Sequence, residues 1–271
     1  MGWITLTTDF GLEDGYAGIL KGVIWRIAPA AQVADLSHAV SPQDILGGAL
    51  VLECATPYFP TGTVHIAVVD PGVGTRRRPI AAHIGECYFV GPDNGLCTLL
   101  LRRAEELCQP VQIVRLNNPR YWLDDVSSSF HGRDIFAPVG AHIANGVPLG
   151  ELGDAVRDPL LLDIPVPQSF RDGLRGQVIH IDHFGNVATS FRRSHLEHLG
   201  RSTALEVHYR GQVVRGLAET YGQGRPGSLL AMFDSSGCLA LCVVNGNAAH
   251  QLGASVGDPV EVLLPRQVTS Q

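Results

Sequence analysis

The chain has 271 residues, 45% of them hydrophobic, with a formal net charge of −6 and an isoelectric point near 6.0. That length suits one large domain or two smaller ones with a full core. The acidic balance argues against a general nucleic-acid binder, which needs a broad basic surface, and no apolar run approaches the roughly 18 residues of a membrane span.

The opening Met1-Gly2-Trp3-Ile4 has no basic n-region or apolar h-region, so no secretory signal is expected. The six cysteines form no CxxC pair and sit mostly in apolar stretches, which suits buried thiols in a reducing cytoplasm. Cys238 and Cys242 in "CLALC" have a spacing that fits one face of a strand as well as a zinc site.

In chain order, "WITLTT" reads as a strand ending at Asp9-Phe10-Gly11, and "DGYAGILKGVIWRIAP" as a helix stopped by Pro29. "AQVADLS" is a short strand. A second helix is expected from Ser41 as N-cap with Pro42 at the first helical position. "GTVHIAVVD" is a strand, and "IAAHIG" and "CYFVGPDNG" form a strand pair closed by glycine-bearing turns. "LCTLLLRRAEELC" is helical, "PVQIVRL" is a strand, and "GRDIFAPVGAHIANG" reads as a helix despite Pro138. This alternation predicts an N-terminal layered α/β domain with a mainly parallel sheet over residues 1–160. A proline-rich stretch, 161–174, reads as a linker. Residues 175–271 hold dense short strands, "LRGQVIHID", "ALEVHYR", "QVVRGL", "SLLAMFD", "CLALCVVN" and "DPVEVLL", which predict a small β-barrel or sandwich.

Polar residues collect at strand ends: Asp9, Asp70, Asp93 and Asn94, then His131, Arg133 and Asp134. In a parallel sheet such ends share one rim and can converge on a ligand. Asp9 reads equally as a helix N-cap or a ligand contact. Asp93 and Asn94 before Gly95 suit a hairpin turn. His131 has a plain reading as a core histidine, and Ser127-Ser128-Ser129 as loop filler. Of Arg76, Arg77 and Arg78, at most one is expected to turn inward. Asp70 resists a plain reading, because a carboxylate directly after a buried strand is costly unless paired or hydrated. Asp70, an arginine and His131 form a set that can position and activate water. Neither HExxH nor EF-hand spacing is present. Further on, Asp182, Asn186, Ser235, Ser236, Asn245, Asn247 and Ala248 form a second polar group. Taken singly, Asp182 suits an Asx turn and the serines a hairpin loop. Together they suit a zwitterionic, amino-acid-like ligand.

Six strings in order, "TTDFG", "VVDPGVG", "GPDNG", "FHGRDIFAP", "IDHFGN" and "NGNAA", resemble the S-adenosyl-L-methionine (SAM) hydroxide adenosyltransferases, or SAM hydrolases, relatives of the fluorinases and chlorinases. The resemblance covers nearly the whole chain. It implies an N-terminal α/β domain, a C-terminal β-barrel and a homotrimer with active sites between subunits. It implies hydrolysis of SAM to adenosine and L-methionine, with SAM as substrate and neither cofactor nor metal. The matching residues are Asp70, Arg77 and His131 for water activation, Arg77 being chosen by its seven-residue offset from Asp70. Asp9 matches the acid that grips the ribose hydroxyls, Asp182 and Ser235 the residues that hold the methionine part, and Asn186 and the Ala248 backbone the adenine contacts. The halogenases carry an arginine at Ser236 and one more residue between Asp182 and Asn186. They have tyrosine at Asp70 and tyrosine-serine at His131-Gly132, so water is favoured over halide as nucleophile. Two further classes stay open: a SAM- or nucleoside-binding protein without turnover, and a metal-dependent phosphohydrolase built on Asp9, Asp14, Asp70 and His131.

Overall fold

The computed structural model describes residues 2–199 and 205–264. The chain forms two compact units, Met1–Asp163 and Ile164–Gln271.

The first unit is a six-stranded sheet between helices. Its strands are β1 (Trp3–Thr8), β2 (Gln32–Ser37), β3 (Val64–Val68), β4 (Pro79–Ile84), β5 (Cys87–Pro92) and β6 (Val111–Arg115), in the order β2-β1-β3-β5-β4-β6. The helices are α1 (Tyr16–Ile27), α2 (Ile45–Ala55), α3 (Thr98–Glu106) and α4 (Ala137–Ala144). Strand β3 is buried along its whole length, as a strand covered on both faces must be. On one face Ile4, Ile66 and Val68 pack with Leu20 and Ile24 of α1 and Val139 of α4. On the other, Ala67, Val69 and Phe89 pack with Leu52 of α2 and Leu100 of α3. Strands β2, β1, β3 and β5 run parallel, whereas β4 is antiparallel to both β5 and β6. The mixed character has a local cause. Only Gly85 and Glu86 separate β4 from β5, and a parallel pairing needs a crossover of a dozen or more residues.

Helix α2 begins later than the Ser41-Pro42 signal suggests. Asp44 is the N-cap, its side chain accepting from Gly47 N, because Gln43 takes a left-handed φ of 66° that no helix can include. The helix through Pro138 is also modified. A π-helical turn, Gly132–Phe136, precedes α4. Pro138 has no N–H for the Asp134 carbonyl, and Leu123 N donates to that oxygen instead, at 2.9 Å.

The second unit is an antiparallel, nearly closed barrel-like sheet. Its strands are β7 (Gln168–Phe170), β8 (Gly173–Ile181), β9 (Val187–Arg192), β10 (Glu206–Tyr209), β11 (Gln212–Arg215), β12 (Leu229–Phe233), β13 (Cys238–Val243) and β14 (Pro259–Leu263). The order is β11-β10-β14-β8-β9-β13-β12, with β7 paired to β8. Val178, Val187, Phe191, Leu241 and Val262 fill its core. The stretch read as a linker thus carries β7 and the start of β8. Strand β9, "VATSFR", has no continuous apolar run in sequence, because Ala, Thr and Ser mask its burial. Thr189 is nevertheless fully buried, donating to the Leu239 carbonyl at 2.6 Å. Ala204, where a strand was expected to begin, lies outside the described residues.

Candidate active site

Strands β1 and β3 are parallel neighbours with Thr8 opposite Val68, so Asp9 and Asp70 leave the sheet at one rim. Asp9 caps no helix: Gly15 precedes α1 and makes no side-chain cap. Its Oδ2 accepts instead from the backbone N–H of Gln43 at 2.8 Å. The left-handed Gln43 therefore aims its N–H at the acid.

After Asp70 the chain turns back on itself. Val73 N donates to the Asp70 carbonyl at 3.2 Å and Thr75 N to the Gly72 carbonyl at 3.2 Å. Gly74 has φ 73°, and a Cβ there would lie 2.3 Å from the Ser128 carbonyl oxygen. A glycine is required both for the left-handed backbone and for this close approach. The reversal brings Arg77 onto Asp70. Its Nε lies 3.0 Å from Oδ1 and 2.9 Å from Oδ2, and a terminal amino group, Nη2, also reaches Oδ2. Only 9% of the Arg77 side chain and 5% of the Asp70 side chain is exposed. The Phe136 ring centroid lies 5.2 Å from the guanidinium carbon.

Nη2 of Arg77 is also 3.0 Å from Nδ1 of His131. Arginine only donates, so Nδ1 is the acceptor and the neutral ring carries its proton on Nε2. Burial holds the His131 pKa below the ordinary value, and the Arg77 cation adds to this, against the opposing fields of Asp70 and Asp134. His131 is no core histidine: with Asp9, Asp70, Phe10, Phe130 and Gln43 it lines a cleft of about 250 Å³.

Two of the three arginines turn inward, not one. Arg78 Nε donates to Asp93 Oδ2 at 2.7 Å and Nη1 to Asp158 Oδ1 at 2.8 Å; Arg76 is exposed. Asp93 is no hairpin residue. It is 1% exposed, and its Oδ1 accepts from Leu160 N at 2.8 Å. Asn94 does serve the turn, accepting from Leu96 N at 3.2 Å and donating to the Val69 carbonyl at 2.9 Å. Ser127 is not filler either. Its N–H and hydroxyl both donate to Asp134 Oδ2 at 2.8 Å. Gln43, Ser127 and Phe136 carried no signal that sequence reasoning used. A sign for the modified turn was available in Pro138, four residues after Asp134.

In the second unit, Asp182 and Asn186 close the β8–β9 loop together. Asp182 Oδ1 accepts from Asn186 N at 2.8 Å and Oδ2 from Asn186 Nδ2 at 2.7 Å. Gly185 N donates to the Asp182 carbonyl at 2.9 Å, and a Cβ on Gly185 would lie 2.2 Å from the Asn247 side chain. Asn247 caps the short helix Ala248–Leu252, whose first residue is fully buried. Ser235 and Ser236 form the exposed tip of the β12–β13 hairpin. Asp234 closes that hairpin by accepting from Ser236 N and Cys238 N, each at 2.9 Å. Cys242 faces the Tyr221 hydroxyl at 3.7 Å, and burial pushes its thiol up to about 11. Among the described residues no three His, Cys, Asp or Glu side chains converge as a metal cage.

Residues 4–153 match the SAM hydroxide adenosyltransferase N-terminal domain, and residues 176–261 match the C-terminal domain of that family. A (R)-S-adenosyl-L-methionine hydrolase from Salinispora tropica is 47% identical over 263 residues, covering 96% of this chain and 97% of the relative. A fluorinase from an Actinoplanes species is 27% identical, covering 96% of each chain. The crystal structure of an uncharacterized conserved protein from Thermotoga maritima superposes with a TM-score of 0.88 at 35% identity, covering 96% of this chain and 99% of that one. With both domains matched in order, the chain belongs to the SAM hydroxide adenosyltransferase family.

Proposed function

We propose that this chain hydrolyses S-adenosyl-L-methionine to adenosine and L-methionine. The observation that carries the reading is the Asp70–Arg77–His131 constellation bordering a cleft that also holds Asp9. The sulfonium makes ribose C5′ electrophilic and methionine a neutral leaving group. Water attacks C5′ opposite the C–S bond, the new C–O bond forms, and the C–S electron pair departs with sulfur. The released proton goes to Asp70 and then to solvent. Arg77 fixes the carboxylate, and neutral His131 holds the other side of Arg77 at the cleft edge. Positioned general-base catalysis of this kind contributes about 10²–10⁴-fold, and alignment of the water adds to it. The balance calls for no cofactor, metal or co-reactant.

Asp9 is assigned to the ribose diol, Asp182 and Ser235 to the methionine ammonium and carboxylate, and Asn186 and the Ala248 backbone to adenine. These roles rest on family resemblance and on each residue's polar chemistry. A halide nucleophile is disfavoured, because the Asp70 carboxylate at the cleft repels an anion. The greater identity to the hydrolase than to the fluorinase agrees, at 47% against 27%. A phosphohydrolase metal is disfavoured because, among the described residues, no three His, Cys, Asp or Glu side chains converge at the cleft as a metal cage. A homotrimer with intersubunit active sites belongs to the same proposal and rests on the resemblance; sedimentation velocity tests it. No described helix is long and apolar enough to cross a membrane, and the free thiols of Cys87, Cys97, Cys108 and Cys242 support the cytoplasm as compartment.

The test is incubation of the protein with SAM in ¹⁸O-water, with and without chelator, followed by mass spectrometry. Adenosine labelled at the 5′ oxygen, with equimolar methionine and no chelator effect, is expected. Intact SAM, or a chelator that abolishes turnover, overturns the reading.

A further inference from the structure

Asp134 takes no part in the hydrolysis described above, yet it is a carboxylate with no solvent exposure three residues from His131. A charge so placed is costly unless it is paired and fully hydrogen-bonded. Asp134 meets that condition with two partners. Arg133 Nε donates to Oδ1 at 2.5 Å and Nη2 to Oδ2 at 3.2 Å. The other partner is Ser127, which donates twice, through its N–H and its hydroxyl. The Ser127 hydroxyl, its proton spent on Asp134, accepts from Phe130 N at 3.1 Å. The carboxylate therefore clasps the loop 127–130 to the π-helical turn that follows His131.

The turn itself has no slack. The Phe130 carbonyl accepts from both Arg133 N and Asp134 N at 3.1 Å, and the Asp134 carbonyl is held by Leu123 N. The histidine backbone is thus gripped on both sides. Its ring is anchored at Nδ1 by Arg77. The residue that Asp134 holds by two bonds, Ser127, in turn holds the Phe130 N–H in the peptide chain directly before that ring.

We propose that Asp134 is a positioning residue: through Ser127 it holds the His131 imidazole in the orientation and tautomer that turn an unprotonated Nδ1 to Arg77. The catalytic meaning of this rests on the proposed hydrolysis, but its structural content does not. Removing a loop staple that served stability alone would lower the unfolding free energy and leave the ring tautomer and turnover of the folded protein unchanged.

Long-range ¹H–¹⁵N spectra of protein labelled at histidine, with His131 assigned by its loss in His131→Gln, read the tautomer directly. One tautomer, with Nδ1 bare and Nε2 protonated, is expected in the unaltered protein. In Asp134→Asn and in Ser127→Ala the spectrum is expected to show tautomer averaging. In the same two variants kcat for SAM falls by at least ~10-fold, with KM within about twofold. Ser127→Thr, which keeps the hydroxyl, restores both. A single unchanged tautomer in Asp134→Asn and Ser127→Ala overturns the proposal, as does unaltered kcat in both. Should Asp134→Asn fail to fold, Ser127→Ala carries both readouts. Should the unaltered protein leave SAM intact, the hydrolysis falls, and the tautomer spectra still decide the role of Asp134.

Discussion

Arg77 Nε is shared between both Asp70 carboxylate oxygens at 3.0 and 2.9 Å, and Nη2 bridges Asp70 Oδ2 and His131 Nδ1, the latter at 3.0 Å. One guanidinium thereby links an acid from the end of β3 to an imidazole at the head of a π-helical turn. Asp70→Ala is expected to lower kcat by about 10²–10⁴-fold while the calorimetric Kd for SAM changes little. The substitution also strands a buried cation, at a cost of about 3–5 kcal/mol, so folding is verified first and Asp70→Asn serves as the shape-preserving partner. An equal loss of binding and turnover would refute the role.

Asp9 has Oδ2 on the Gln43 N–H and belongs to the cleft lining. If it receives the ribose hydroxyls, Asp9→Asn removes charge-assisted hydrogen bonds worth about 1.5–3 kcal/mol, or roughly 10–100-fold in affinity. The loss is expected in KM, with kcat within a few-fold of the unaltered enzyme. Steady-state kinetics check this, and a pure kcat effect would assign Asp9 to the chemistry instead.

His65 sits fully buried on β3, its Nδ1 2.7 Å from the Thr5 hydroxyl and its Nε2 without a partner among the described residues. Burial lowers its pKa from 6.5 to about 4. Between those values the unfolded chain binds the proton and the native one does not. The stabilising effect is therefore complete above about pH 6.5 and is lost as pH falls toward 4. At 1.36 kcal/mol per unit the total is about 3 kcal/mol. Urea titrations at pH 7, 5.5 and 4 measure it, and His65→Gln should flatten the slope by that amount. An unchanged slope would place the acid sensitivity elsewhere.

Arg78 joins Asp93 to Asp158 outside the cleft lining. Arg78→Met leaves the Asp93 carboxylate buried with the Leu160 N–H. With the arginine side chain 27% exposed, the cost is set below that of a fully buried pair, at about 2 kcal/mol. The urea midpoint is expected to fall while kcat at 25 °C stays within twofold. A large kcat loss in folded protein would tie this bridge to the chemistry.

Much of the fold was legible because hydrophobic periodicity is local. "VHIAV" and "CLALCV" are continuous apolar runs, and both became buried strands. Strand β9 escaped the same reading, because its Thr189 and Ser190 are buried by pairing with β13 and β8, which no local window contains. The antiparallel setting of β4 was implicit in the two-residue link to β5, since so short a connection closes only a hairpin.

The candidate site divides in the same way. The sequence by itself determined that acids and a histidine stand at strand ends, that a glycine turn follows Asp70, and which family the ordered strings resemble. Residue type and spacing carry that information along the chain. Only the tertiary structure decided that Arg77 and Arg78 both turn inward but to different acids, and that Asp93 is a structural anchor. It alone decided that Asp9 is met by a left-handed Gln43 and that Asp134 is bound to Ser127. These outcomes depend on which carboxylate lies within about 3 Å of a donor once the sheet has formed. A buried charge takes the partner that packing places beside it, and that partner is selected in space rather than along the chain.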